Sequence, residues 1–176
     1  MVIFTICFYL IRQLLFLILI QTSFKSNDTR KRFGPIKEAA ESAILKIKTL
    51  SSAATKSKSS SPLDTLRQHS NTVLQPFLMG CDTKVQDICL LCVSGIQRLI
   101  THQIVSPQAG ANIVSMLAQL MEWNFDSIRI LQTSMLLLST TTCVRGKTLS
   151  NCLALCFRLL GSGKAFFNTR NRLCLF

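Results

Sequence analysis

The sequence predicts an all-α fold in which antiparallel helices stack into a solenoid, preceded by an apolar N-terminal helix. Only seven Gly and four Pro punctuate the 176 residues, too few for the turns of a sandwich or barrel. From residue 35 to 160 apolar side chains recur at three and four, the period of a helix with one buried face. Helix starts near residues 83, 107, 127 and 147 lie 20 to 24 apart, so helix pairs recur at just over 40 residues. That is the period of HEAT and armadillo repeats, in which no pair closes its own core and neighbours must stack.

The first element is the run MVIFTICFYLIRQLLFLILI, apolar apart from Thr5 and the Arg12-Gln13 pair. About 20 such residues suffice to span a bilayer, although Arg12 near the centre costs about 2.5 to 3.5 kcal/mol. A signal peptide fits poorly, since no basic stretch precedes the run and no small-x-small cleavage site follows it. If residues 1–24 insert as a single-pass anchor, the basic cluster Lys25, Arg30, Lys31 and Arg32 stays cytosolic, and the rest of the chain with it. The competing readings are a buried apolar helix or a misassigned start. Residues 25–34 read as a basic linker.

Pro35 suits the first turn of a helix, where its missing N–H has no intrahelical partner. From there to Ala54 the stripe Ile36, Ala40, Ala43, Ile44, Ile47, Leu50 defines an amphipathic helix, with Lys37, Glu38, Glu41, Lys46 and Lys48 off it. Residues 51–61, SSAATKSKSSS, read as a flexible loop in which Lys56 and Lys58 are solvated. Ser61-Pro62 opens the next helix, and Pro76 should interrupt it near Thr72. Asp82 is the expected cap of a helix with stripe Val85, Ile88, Cys92, Ile96, Leu99, Ile100. Ser106-Pro107 opens the next, with Ile113, Val114, Leu117, Leu120 and Met121 inward; Trp123 and Phe125 after it read as a packing anchor at a turn. Asp126 precedes the inward set Ile128, Leu131, Met135, Leu138, and Gly146 breaks the chain before Leu149, Cys152, Leu153, Cys156, Phe157 and Leu160. Residues 35–160 thus form the domain, and 161–176 are a basic tail.

Charge is uneven along the chain. Twenty Lys and Arg against eight Asp and Glu give +12, a balance that asks for an acidic partner or surface. The alternative function it offers is a basic peripheral or membrane-anchored protein that holds anionic lipid at a membrane surface through Lys25, Arg30, Lys31, Arg32, Lys56 and Lys58. Residues 1–68 hold 11 basic and 4 acidic side chains, residues 69–158 hold 6 and 4, and residues 159–176 hold 3 and 0. The near-neutral middle argues against nucleic acid as partner, since a nucleic-acid-binding domain carries its charge on the folded part.

No catalytic constellation appears, so an enzyme is not expected. Gly161-Ser162-Gly163-Lys164 lacks the first Gly and the strand of a phosphate loop. Glu38 and Glu41 share a helix face with Lys37 and Lys46, which is a solvated surface and not an acid/base pair. His102, near a helix end, is read as favouring the helix C-terminal dipole. Cys89-x-x-Cys92 has half-knuckle spacing without a second pair or a partner His. On helices, Cys89 and Cys92, like Cys152 and Cys156, read as small core residues. No cofactor or metal is expected.

The blocks KEAAESAILKIKT (37–49), QPFLMGCDTK (75–84), IQRLITHQIVS (96–106), NIVSMLAQLME (112–122) and LCFRL (155–159) resemble the N-terminal dimerization and cyclophilin-binding (DCB) domain of the large Golgi Arf guanine-nucleotide exchange factors, and within that family its Mon-two scaffold branch. The likeness runs from about Lys31 to Leu159 and rests most on Lys37, Glu38, Glu41, Gln75, Pro76, Phe77, Gly80, Gln97, Arg98 and Glu122. It implies an armadillo-like module that self-associates, packs against a neighbouring helical domain and serves endosome-to-Golgi transport at the cytosolic face of those membranes. In the Mon-two branch the exchange-factor module is missing, and Dopey-type proteins are partners. No family active-site residue falls on this sequence. Residues 1–24 and the tail after Leu159 depart from the family pattern, which suggests a fragment, a splice form or an imperfect gene model.

Overall fold

The computed structural model describes residues 7–12, 14–16, 18, 27–54, 62–140 and 144–161, with 27–32, 53, 54 and 62 described in backbone only. Every regular element among them is a helix. After an N-terminal helical segment (7–12, 14–16, 18) come α1 (Asn27–Ala54), α2 (Pro62–Gln68), α3 (Ser70–Asp82), α4 (Gln86–Thr101), α5 (Pro107–Glu122), α6 (Ser127–Ser139) and α7 (Gly146–Gly161).

Helix α3 packs on α1, α4 and α5; α5 packs on α6 and α7; α4 packs on α6. So α1, α3, α5 and α7 form one layer while α4 and α6 form the other, as expected of a helical solenoid. Polar contacts tie successive repeats. The Ser70 hydroxyl donates to Ser106 Oγ at 2.8 Å, and Arg67 donates through Nε and Nη2 to the Gln103 carbonyl at 3.0 and 2.8 Å. Gln97 Nε2 donates to Thr133 Oγ1 at 2.9 Å, and Arg158 Nη2 to Glu122 Oε1 at 2.7 Å. Each pair is separated by 36 residues. Alternate helix starts, Ser70 to Pro107, Gln86 to Ser127 and Pro107 to Gly146, lie 37, 41 and 39 residues apart, near the expected helix-pair period of just over 40.

Helix ends explain the tight connections. Gln103 and Asn124 adopt positive φ (55° and 59°), and the next residue reaches back: the Ile104 N–H donates to the Leu99 carbonyl and the Phe125 N–H to the Leu120 carbonyl. With Gln103 N–H on Ile100 and Asn124 N–H on Met121, both ends are Schellman motifs, which turn the chain in few residues. Ile104 and Phe125, the residues that follow the turn, are buried with Leu99 and Leu120 in the core. Trp123 and Phe125 stack at 6.0 Å, the turn anchor expected of them.

Two expected caps are present. Ser106 Oγ accepts from the Ala109 N–H, and Asp126 Oδ1 from the N–H groups of Ile128 and Arg129. Asp82 is not the cap of α4: it ends α3, Val85 occupies the cap position, and the Thr83 hydroxyl accepts from the Val85 N–H.

The long first helix also differs from expectation. Helix α1 starts at Asn27 and passes through Pro35, so residues 27–34 are helical and not linker. One missing N–H does not end a helix whose Phe33, Ile36 and Ala40 are already held in the core. At its far end α1 continues to Ala54, where the hydroxyls of Ser51 and Ser52 bond back to the carbonyls of Lys48 and Thr49. The rest of the expected loop, 55–61, lies outside the described residues, as do Ser61 and the tail 162–176. Pro76 sits inside α3 without breaking it; the break falls earlier, at His69 between α2 and α3.

Among the described residues, no helix is long and apolar enough to cross a membrane. The N-terminal segment instead buries Cys7, Leu10 and Leu14 in the core shared with α1, α3 and α4. Tyr9 lies under the Arg98 guanidinium, 5.0 Å from ring centroid to Cζ, which fastens the segment to α4. The single-pass anchor over residues 1–24 is therefore unsupported, and the segment takes the competing role of a helix packed on the core.

Candidate interaction surface

The residues that carry the family likeness do not converge on one site. Phe77, Pro76 and Gly80 are buried in α3, with Gln75 exposed beside them. Lys37 and Glu41 form an exposed ion pair at 3.8 Å one turn apart on α1, and Glu38 is exposed nearby. Gln97 bridges α4 to Thr133 of α6, Arg98 covers Tyr9, and Glu122 pairs with Arg158 of α7. They are joints of the stack. Arg30, Lys31 and Arg32 fall on the first turns of α1, described in backbone only, and Lys25 lies outside the described residues.

The cysteines are core residues where described. Cys7, Cys81, Cys89, Cys92, Cys152 and Cys156 are all buried free thiols. Cys89 Sγ donates to the Cys81 carbonyl at 3.4 Å, and Cys152 Sγ to the Ser134 carbonyl at 3.8 Å. The proton Cys89 shares with Cys81, and then burial, push its thiol well above the usual range. Burial and the neighbouring Cys156 push Cys152 up to about 11. Such thiols are poor nucleophiles and poor metal ligands at neutral pH, because the reactive form is the thiolate. Among the described residues no group of three or more His, Cys, Asp or Glu is placed to hold a metal ion. His102 caps α4, but burial and the Arg98 charge lower its pKa, so desolvation outweighs the helix dipole that the sequence pointed to.

What the sequence placed inside and the structure leaves outside is concentrated in the last helix pair. In α6 the buried face is Ile130, Thr133, Ser134 and Leu137; Met135, expected inward, is 57% exposed, and Leu131 and Leu138 are only half-buried. Thr133 and Ser134 can face the core because their hydroxyls donate to the Arg129 and Ile130 carbonyls one turn back, and Thr133 also accepts from Gln97. In α7 Cys152, Leu155, Cys156 and Leu159 face the core. Leu149, Leu153, Phe157 and Leu160 form a second stripe facing solvent, with Phe157 69% exposed. Spaced at four, four and three, they share one face of a helix that is apolar over more than the width a single core needs. Beside Met135, an open apolar groove of about 630 Å³ runs along Gln97, Leu131, Gln132, Leu136 and Ser139. A helix buried on one side and apolar on the other is built to carry a second partner.

The sequence missed this surface by assigning each helix one apolar face. The signal was present in α7, where apolar residues at 149, 152, 153, 155, 156, 157, 159 and 160 outnumber what one stripe can hold.

Comparison with known proteins fits a module of this kind. The chain matches, over residues 12–171, the family model of the Mon2/Sec7/BIG1-like dimerisation and cyclophilin-binding domain, DCB. It is similar to the Protein MON2 homologs of Xenopus laevis and Homo sapiens, each 46% identical over 134 residues, 76% of this chain and 8% of theirs. The Protein MON2 homolog of Drosophila melanogaster is 42% identical over 142 residues, 80% of this chain and 8% of its own. The chain therefore spans under a tenth of the length of these relatives. No solved structure matches. With stacked helices, an exposed apolar face on α7 and a family match over most of its length, the chain belongs to the Mon2/Sec7/BIG1-like DCB domain family.

Proposed function

We propose that the chain is a non-enzymatic scaffold module in vesicle-mediated protein transport between endosomes and the Golgi, acting at the cytosolic face of those membranes. It works by self-association and by binding other helical proteins. The observation that carries this reading is the solvent-facing stripe Leu149, Leu153, Phe157, Leu160 on α7. In a stacked array each repeat buries its outer face against the next, so an apolar outer face is a docking face. The relatives' length leaves room for the natural occupant to be a neighbouring helical domain, with a second copy of the chain or a Dopey-type protein as further partners. Membership of the MON2-containing family supports the transport setting.

The test is association state. In size exclusion with light scattering the chain should self-associate with rising concentration. Leu153→Glu/Phe157→Glu should weaken that association by at least about a hundredfold, since each side chain loses roughly 1.5 to 3 kcal/mol of burial. Both residues face solvent in the single chain, so at concentrations where the wild type is monomeric the melting temperature should hardly move. A wild-type chain that stays monomeric at every soluble concentration would sink the self-association half of this reading.

A further inference from the structure

We infer that the N-terminal helical segment is an in-plane membrane contact for anionic lipid, made by the face opposite to the one it packs on the core. The segment has two apolar faces. Cys7, Leu10 and Leu14 point inward and are buried. Phe8, Leu15 and Phe16 point outward, 71%, 47% and 52% exposed, with exposed Arg12 between them in the helical order. Positions 8, 12, 15 and 16 are spaced at four, three and one and share one side of a helix. This face belongs to a different element from the stripe on α7, so the inference does not rest on the protein-binding reading.

Two occupants fit an apolar helix face, a second copy of this chain or a membrane, and charge decides between them. A symmetric pairing through this face would bring two copies of Arg12 together, on chains that each carry +12. An anionic lipid surface turns the same charges into attraction. Arg12 can reach the headgroups along its aliphatic stem while Phe8, Leu15 and Phe16 enter the boundary with the acyl chains. Up to residue 33 the sequence adds Lys25, Arg30, Lys31 and Arg32 against Asp28 alone. Apolar insertion combined with a polybasic flank gives two signals, which stable surface binding requires. The inward face stays on the core throughout, so the segment lies on the membrane and does not span it.

The experiment is flotation of the full chain with phosphatidylcholine vesicles, with and without phosphatidylserine, in low and high salt. The chain should float with the anionic vesicles. The variant Phe8→Ser/Leu15→Ser/Phe16→Ser should bind them about tenfold or more weakly, and so, to a lesser degree, should Phe16→Ser alone, a change small enough to keep the fold if the triple variant does not. Charge removal at Lys25, Arg30, Lys31 and Arg32 should weaken binding and flatten its salt dependence. Three results overturn the inference: no flotation with anionic vesicles; flotation that depends on the basic residues and not on Phe8, Leu15 and Phe16; or serine variants that lose self-association without vesicles while vesicle binding is unchanged. The Leu153→Glu/Phe157→Glu variant should float like wild type, which separates failure of this inference from failure of the docking role of α7.

Discussion

Gly95 marks a close approach of α4 to α3. A Cβ placed there would lie 2.5 Å from Cε1 of Phe77, a fully buried ring. Gly95→Ala should therefore destabilise the fold by about 1 to 3 kcal/mol despite alanine's better helix propensity, measured by urea denaturation. Phe77→Leu in the same chain should recover part of the loss, because it removes the atoms that clash. The sequence could not reveal this contact, since a mid-helix glycine looks the same whether it meets a ring or solvent. Ser106 and Asp126 were legible because a cap is local: a side-chain oxygen bonds an N–H two or three residues on, and residue type with position suffices to expect it.

At the scale of the helix, the two Schellman ends place non-glycine residues in the left-handed region. Gln103 and Asn124 are unequal there, since Asn tolerates positive φ better than a long side chain does. Gln103→Gly should stabilise the chain by about 0.5 to 1 kcal/mol and Asn124→Gly by less, a ranking that thermal unfolding can check. The Arg67 contact survives the first change because it is accepted by the backbone carbonyl of residue 103. Helix existence was legible wherever the apolar spacing ran unbroken, from α4 to α7, since that spacing fixes the period. Helix rotation was not legible in α6. Periodicity chose Leu131, Met135 and Leu138 over Thr133 and Ser134 because it ranks side chains by apolarity, whereas hydroxyls bonded to their own backbone enter a core cheaply. The ends of α1 were missed for a related reason: Pro35 and the serine run are weak local signals, outweighed by the buried side of a long helix.

For the molecule as a whole, the titrating groups that move on folding define its pH window. His102 has a folded pKa below 6.5, so as pH falls the unfolded chain takes up the proton first; stability should drop below pH about 6.5 and level off once the folded value is passed. Cys81, Cys89 and Cys152 have folded pKa values above 9.0, so their contribution is complete below that value and is lost as pH rises beyond it. Denaturation midpoints should peak near pH 7 to 8, with His102→Gln flattening the acid side and Cys152→Ala the alkaline side. The all-α solenoid was legible from composition and period. Its candidate site was legible only in kind, because which face remains free depends on how every earlier helix has turned.

The 36-residue register has a consequence for how the structure opens. Helices bond and pack only to near neighbours, so releasing α7 costs the contacts it makes on α5 and α6 and leaves the packing of α1, α3 and α4 intact. Helix α7 can thus come away on its own, giving up its packing on α5 and α6 and the Arg158 bond to Glu122, without unfolding α3 and α4. A partner seated on α7 would close that low-energy opening, so binding at this helix would also be felt as a change in the cooperativity of the stack.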